Sequence, residues 1–331
     1  MALAPSAQAL TVSPVRLEVT VDPGATYQGE TILKNEQKDQ RTFYSSLENF
    51  EARGDTGTPY FIPGKDGLAG WIGGVPESVT LQPGEKRSLP FAITVPSDAK
   101  PGGYFAAILW NDTPPAPSAA GQVAIGAKVG SLVLLRVSGE VEENGGISAF
   151  SSSDGSAVFN SLPVSLTWRF QNSGGDRVKP EGTIRITNTL GMLAAELPAN
   201  PTKGNILPGS TRKFDVVWQD GSGSGSTMGM DFFSAVREQA RDWRMGRYVA
   251  DLQLAYGETS TGSARFAFYV LPWQLLTLLA SALLVIILAG RFILLGYKRR
   301  ILAQARAATP APKARTASTP TRSPTRKKKT S

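Results

Sequence analysis

The sequence predicts an all-β chain of two sandwiches in tandem, closed by a single C-terminal transmembrane helix and a disordered basic tail, and three observations carry that reading. Apolar and polar residues alternate in short runs, turns rich in Pro and Gly separate the runs, and one uncharged stretch of 25 residues lies between Arg265 and Arg291. Alternation at period two puts one face of a strand in a core and the other in water. It is seen in Val15, Leu17, Val19 and Val21, in Val164, Leu166, Trp168 and Phe170, and in Tyr248, Ala250, Leu252 and Leu254. Between such runs stand Asp22-Pro23-Gly24, Gln82-Pro83-Gly84, Ser173-Gly174-Gly175-Asp176 and Leu207-Pro208-Gly209, each with residues that suit chain reversal. Many short strands at this spacing describe sandwiches rather than helical bundles.

In chain order, residues 1–9 end on Ala7-Gln8-Ala9, the small-residue pattern of a signal-peptidase site, and are expected to be the remnant of a signal peptide. Residues 10–140 form the first β-sandwich. The boundary falls in the acidic and Gly-containing stretch from Ser138 to Gly146, and residues 146–268 form the second. The halves share a weak repeat. Leu81-Gln82-Pro83-Gly84 precedes an apolar strand and then Gly102-Gly103-Tyr104, whereas Ile206-Leu207-Pro208-Gly209 precedes Phe214, Val216 and Trp218 and then Gly246-Arg247-Tyr248. Such grammar is that of immunoglobulin-like domains. Two departures interrupt it. Glu51 to Pro76 is a long Gly- and Pro-rich excursion. Gln219 to Met245 combines a Gly/Ser linker with a helical insertion at about 230–245, whose apolar face is read as Phe232, Phe233, Val236, Ala240 and Trp243.

The segment 271–295 is long and apolar enough to cross a bilayer. Tyr269 and Trp273 flank it on one side as interfacial aromatics, and Tyr297, Lys298, Arg299 and Arg300 on the other. Twelve Lys and Arg and no acidic residue follow from Arg291 onward, so the net charge of +8 conceals a body that carries −4 once those twelve are subtracted. A basic tail is not a basic domain, and nucleic acid is not an expected partner. By the positive-inside rule residues 298–331 are expected to be a cytoplasmic tail of a cell-membrane protein and the sandwiches extracytoplasmic. The tail cannot bury a core and is expected to be disordered, serving either to bind anionic lipid at about 1 kcal/mol per basic residue or purely as a topogenic signal.

The absence of Cys and His removes disulfides, Cys- or His-ligated zinc and imidazole-based catalysis. The run Gly221 to Gly229 has the alternation of a flexible linker and neither phosphate-binding pattern, and Asp55, Asp66, Asp154 and Asp176 sit singly in turns rather than in a calcium loop. No catalytic residue, cofactor or metal is predicted. The candidate binding surface is the excursion, where Tyr60, Phe61, Trp71 and Ile72 place apolar and aromatic groups among turn residues, either to hold a partner or to fold back on the core.

Thr11-Val12-Ser13-Pro14-Val15-Arg16, Pro23-Gly24, Leu33-Lys34-Asn35-Glu36, Leu81-Gln82-Pro83-Gly84-Glu85, Val95-Pro96 and Pro101-Gly102-Gly103-Tyr104-Phe105 together resemble the first domain of the bacterial WxL-interacting cell-surface proteins. The layout of the whole chain is similar to theirs. The resemblance covers residues 10 to 110 by motif and implies a peptidoglycan-binding first immunoglobulin-like domain and a second that engages another surface protein. It carries over no individual binding residue. The resulting expectation is a non-enzymatic, membrane-anchored surface protein that binds envelope glycan or a surface protein. The alternative is an envelope assembly or chaperone-like factor that pairs a sheet edge with a client strand. Protease added to intact cells is expected to remove the β-domains and leave a small C-terminal fragment; a cleaved tail beside protected domains would overturn the topology.

Overall fold

The computed structural model describes residues 10–114, 128–219, 231–241, 244–257 and 260–308. The signal remnant 1–9, the Gly/Ser linker 221–229, Trp243 and the tail from 309 lie outside the described residues.

Alternating side chains build the first eleven elements: β1 (Leu10–Ser13), β2 (Arg16–Val21), β3 (Thr26–Asn35), β4 (Arg41–Ala52), β5 (Pro59–Pro63), α1 (Leu68–Trp71), β6 (Ile72–Gly73), β7 (Ser78–Leu81), β8 (Lys86–Thr94), β9 (Gly102–Asn111) and β10 (Val129–Val137). One sheet has the order β1-β3-β8-β6; the other runs β2-β10-β9-β4-β5, with β7 also on β4. The chain changes sheets at Pro14, between β1 and β2, and β2 then lies parallel to β10. Leu33, Phe43, Leu81, Ile93, Ile108, Trp110 and Leu135 from the two sheets bury their side chains in one core.

The second half repeats the plan with β11 (Gly145–Ser152), β12 (Val158–Phe159), β13 (Val164–Asn172), β14 (Glu181–Thr187), β15 (Leu193–Pro198), β16 (Thr211–Trp218), α2 (Phe232–Arg241), β17 (Gly246–Tyr256) and β18 (Ser260–Val270). Its sheets are β11-β13-β16 and β12-β18-β17-β14-β15. Trp168 stands at the centre of a separate core. Its ring stacks on Phe214 with centroids 4.2 Å apart, and its Nε1 donates to the Ala199 carbonyl at 3.0 Å. An indole therefore adds a large apolar area without leaving its one donor unpaired.

Both halves use a fully buried Asn at the end of a strand. Asn35 Nδ2 donates to the carbonyls of Asp39 (2.8 Å), Leu81 (3.2 Å) and Gln82 (3.3 Å), while its Oδ1 accepts from Gln37 N. Asn172 Nδ2 donates to Asp176 O (2.8 Å) and Ile206 O (2.9 Å), and its Oδ1 accepts from Gly174 N. Each amide joins a strand end to the Pro-Gly turn that the repeat predicted.

Separately, α3 (Trp273–Ala308) is one helix long and apolar enough to cross a membrane, with a mean hydropathy of 2.6 over its most apolar window.

Three expectations are corrected. The excursion 51–76 is not a loop, because it contains β5, α1 and β6. In α2 the buried face is Ala235, Val236 and Gln239, while Phe233 and Ala240 are exposed. At 100° per residue Ala235, Val236 and Gln239 share one arc, Phe233 and Ala240 fall outside it, and Phe232 in the first turn is exposed as well. Finally, the expected disordered tail begins too early at 298. The helix continues through Lys298, Arg299 and Arg300 to Ala308, because Ile301-Leu302-Ala303-Gln304-Ala305 is made of helix formers and contains no Gly or Pro.

Trp168→Ala is expected to cost about 3–5 kcal/mol of stability in denaturant unfolding. Asn172→Ala, which takes the side-chain donor from the Asp176 carbonyl and leaves Ile206 O with Val178 N alone, is expected to cost about 1–3 kcal/mol. Unchanged unfolding midpoints would show that neither group organises its core.

Candidate partner-binding site

The excursion divides its four candidate residues. Ile72 is buried in the first core, and Trp71 packs against it with its ring 4.6 Å from that of Tyr104. Asn49 secures this segment by accepting from Ala69 N at 3.0 Å and donating to the Asp66 carbonyl. Phe61 is half-buried edge-on against Phe50, 6.2 Å between centroids. Tyr60 is 43% exposed on β5, with the Arg53 guanidinium 4.1 Å over its ring. Trp71 and Ile72 thus serve the core, and Tyr60 is the one that faces outward.

The turn between β4 and β5 has a different task, which is to reach the second sandwich. Arg169 Nε donates to Asp55 Oδ2 at 3.0 Å, and Lys213 N donates to the Asp55 carbonyl at 2.6 Å. Further along the junction Arg136 pairs with Asp176 at 3.3 Å, Asn205 Nδ2 donates to Glu18 Oε1 at 2.8 Å, and Gly103 N donates to Gly175 O at 3.0 Å. A Cβ on Gly102 would stand 2.8 Å from Gly175 O, and one on Gly103 would stand 2.5 Å from Asp176 Oδ1. Glycine is needed there for close approach between the two halves, in addition to opening β9.

Between the sandwiches lies a cavity of ≈ 70 Å³ with an apolar side formed by Phe50, Leu132, Leu134 and Leu207 and a cationic side formed by Arg16 and Arg212. The Arg212 guanidinium lies between Gly57 and Gly204; a Cβ on either would come within 2.5 and 2.7 Å of its Cζ. Nη1 donates to Asn205 O at 2.7 Å, while Nε is buried and unbonded, as is Asn205 Oδ1. Burial, and next the positive charge of Arg16, pull Arg212 below the usual guanidinium range. Arg16 is paired with Glu18 at 3.0 Å, but among the described residues Arg212 has no ion pair. The arrangement suits a small anionic group such as a carboxylate.

Beside this cavity β16 is an edge strand. It pairs with β13 only, among the described residues. Because Lys213 N turns away from β13 to reach Asp55, strand alternation turns the N–H and C=O groups of Asp215 and Val217 the same way. Among the described residues, Asp55 is the one main-chain partner on this side of β16. By contrast the edge at β5 is only five residues long and has Pro at both ends, which blunts it against strand addition.

No three of His, Cys, Asp or Glu come together to hold a metal among the described residues. The sequence reading passed over Arg212 and gave Arg16 no role. Their meeting depends on packing between halves, and the only local signal was Thr211-Arg212 immediately after a Pro-Gly turn. From these placements, Ile72→Ala is expected to cost about 2–5 kcal/mol, whereas Tyr60→Ala is expected to stay within about 0.5 kcal/mol of the parent. Equal losses on thermal unfolding would show that β5 is as much a part of the core as β6.

No family model matches the chain, and no curated protein matches it. Solved structures to which it is similar are the class 5 fimbriae chaperone CfaA (13% identity over 80% of this chain and 99% of that one, TM-score 0.36), the YadV chaperone (12%, 78% and 100%, TM-score 0.33) and the E. coli chaperone DraB (12%, 79% and 96%, TM-score 0.32).

Proposed function

We propose that this chain is a non-catalytic, membrane-anchored envelope protein that holds a partner polypeptide by strand addition, as an assembly or chaperone-like factor does. In this reading the sandwiches are tandem immunoglobulin-like domains outside the membrane, and α3 is the anchor. The observation that carries the proposal is the open edge of β16, on which Asp55 of the first sandwich already makes one strand-like bond to Lys213. Main-chain hydrogen bonds along an edge give affinity with little dependence on the client's sequence, and neighbouring side-chain pockets give preference. Lys213, Asp215 and Val217 alternate outward along this edge, while Phe214, Val216 and Trp218 stay in the core. The Arg16 and Arg212 cavity adjoins the head of the strand and supplies a subsite for a carboxylate.

A photoreactive side chain at Asp215 in the full-length, membrane-embedded protein is expected to trap an envelope polypeptide. Val217→Pro removes an outward N–H that has no main-chain partner among the described residues, so the fold is expected to persist while trapping falls at least tenfold, about 1.4 kcal/mol. Trapping that is indifferent to Val217→Pro would overturn strand addition.

One observation favours a second reading, glycan binding as implied by the WxL-interacting resemblance. Tyr60 is an outward aromatic beside the exposed Ile62. In that case Tyr60→Ala, and not Val217→Pro, lowers retention of the protein on purified cell wall.

A further inference from the structure

One end of the second sandwich is apolar where a soluble domain is usually polar. At the β14–β15 turn Leu190 is 79% exposed, Met192 56% and Leu193 52%. Exposure here does not come from looseness. Asn188 Oδ1 accepts from both Leu190 N and Met192 N at 3.0 Å, and Asn188 N donates to Met192 O at 3.0 Å. The Thr189 hydroxyl donates to Arg247 O at 3.0 Å and accepts from Arg247 N at 3.1 Å. The turn is therefore fastened to the first residues of β17 with its apolar side chains held outward.

Register places other exposed apolar groups at the same level. Arg247 is opposite Tyr269 and Gly246 opposite Val270. Met245, Tyr269 and Leu271 are all about half exposed. Three separate stretches of chain thus bring Leu190, Met192, Leu193, Met245, Tyr269 and Leu271 to one end of one sheet, with the exposed Arg247 among them. The other end of this sheet has the opposite character, with Glu181, Thr261 and Ser263 at its last rungs. Residues 177–180 join that end to the turn 173–176, which meets the first sandwich. A monomeric domain rarely leaves clustered apolar groups in water without a partner.

We infer that this end of the second sandwich rests in the interface of a phospholipid bilayer, with Leu190 and Met192 inserted among the upper acyl chains. The inference rests on the reading of α3 as a membrane anchor. Only Leu271 and Pro272 separate the end of β18 from the start of α3 at Trp273, and residues span at most about 3.3–3.6 Å each. An anchor entering the bilayer at Trp273 therefore draws the Val270 end of the sheet to the headgroups. Apolar groups on an interfacial surface are buried by about 5–10 Å there, with Tyr, Trp and Arg at headgroup level. Tyr269, Trp273 and Arg247 match that composition, and the stiff turn at Asn188 extends the contact sideways from the anchor.

Because the chain contains no cysteine, single-cysteine variants report one position each. Leu190→Cys, Ser263→Cys and Leu284→Cys would each carry an environment-sensitive fluorophore. The full-length protein would be placed in nanodiscs of phosphatidylethanolamine and phosphatidylglycerol, with or without lipid bearing a doxyl spin label high on the acyl chain. Residue 263 lies seven residues above Val270 along β18, about 23 Å at the usual strand rise. Labels at 190 and 284 are expected to lose emission to the spin-labelled lipid, and the label at 263 to keep it. Quenching at 284 without quenching at 190 would overturn the docking and leave the anchor standing. A label at 190 that is shielded from water yet unquenched would mean that protein covers the patch, and would also overturn it. Quenching at neither 190 nor 284 would overturn the anchor itself. Since Leu190 projects into solvent, its replacement is expected to leave the unfolding midpoint unchanged, so loss of folding does not cloud the result.

Discussion

The two halves depend on a buried amide at equivalent places. A sandwich has to turn its chain at the ends of strands, where regular ladder pairing stops and the inward carbonyls need other donors. Asn35 answers this in the first half by reaching Asp39, Leu81 and Gln82, and Asn172 answers it in the second by reaching Asp176 and Ile206. Each side chain gathers carbonyls from two different turns, while its own oxygen accepts an N–H from the nearer of the two. A buried polar group pays for its desolvation only when fully bonded, and these two are. The Pro-Gly turns can then bring Leu81 and Ile206 into their cores without orphaning the backbone.

The amides also prepare the junction. Asn172 fixes the 173–176 turn, which presents Gly175 to Gly103 and Asp176 to Arg136; Ile206 stands next to Asn205, which holds Arg212. Core order in the second sandwich and contact with the first are thus one problem with one solution. The junction itself is made of hydrogen bonds and ion pairs, joined by the small apolar cluster in which Leu207 packs near Phe50 and Leu134. Half-exposed pairs such as Arg169 with Asp55 add little energy singly. Their effect is to set register and orientation.

Much of this architecture was legible before any coordinates. Period-two alternation identified β13 and β17 and placed Trp168 and Tyr248 in a core, because burial on one face of a regular strand is a local property. The repeated Pro-Gly turns located strand ends for the same reason. Long-range contacts were not legible. Nothing in the spacing of Asp55, Gly57, Arg169 and Arg212 shows that they meet, and the aromatic residues of the excursion read as one surface because sequence cannot tell β5 from β6. The face of α2 was misread since ten residues with two adjacent Phe give an ambiguous stripe. The continuation of α3 past Arg300 was missed because charge was taken as the end of a helix, whereas charge ends only the part that suits hydrocarbon.

The eleven paired residues of β17 and β18 have a mechanical meaning. The strand that leads into α3 is β18, and a pull applied to its Val270 end along the strand enters the sandwich on the strand's own axis. Its hydrogen bonds to β17 run across this axis. They are loaded together in shear rather than opened one after another, and β12 adds a short parallel pairing at the loaded end. The order of strands in this sheet makes β18 the strand through which the sandwich is joined to α3.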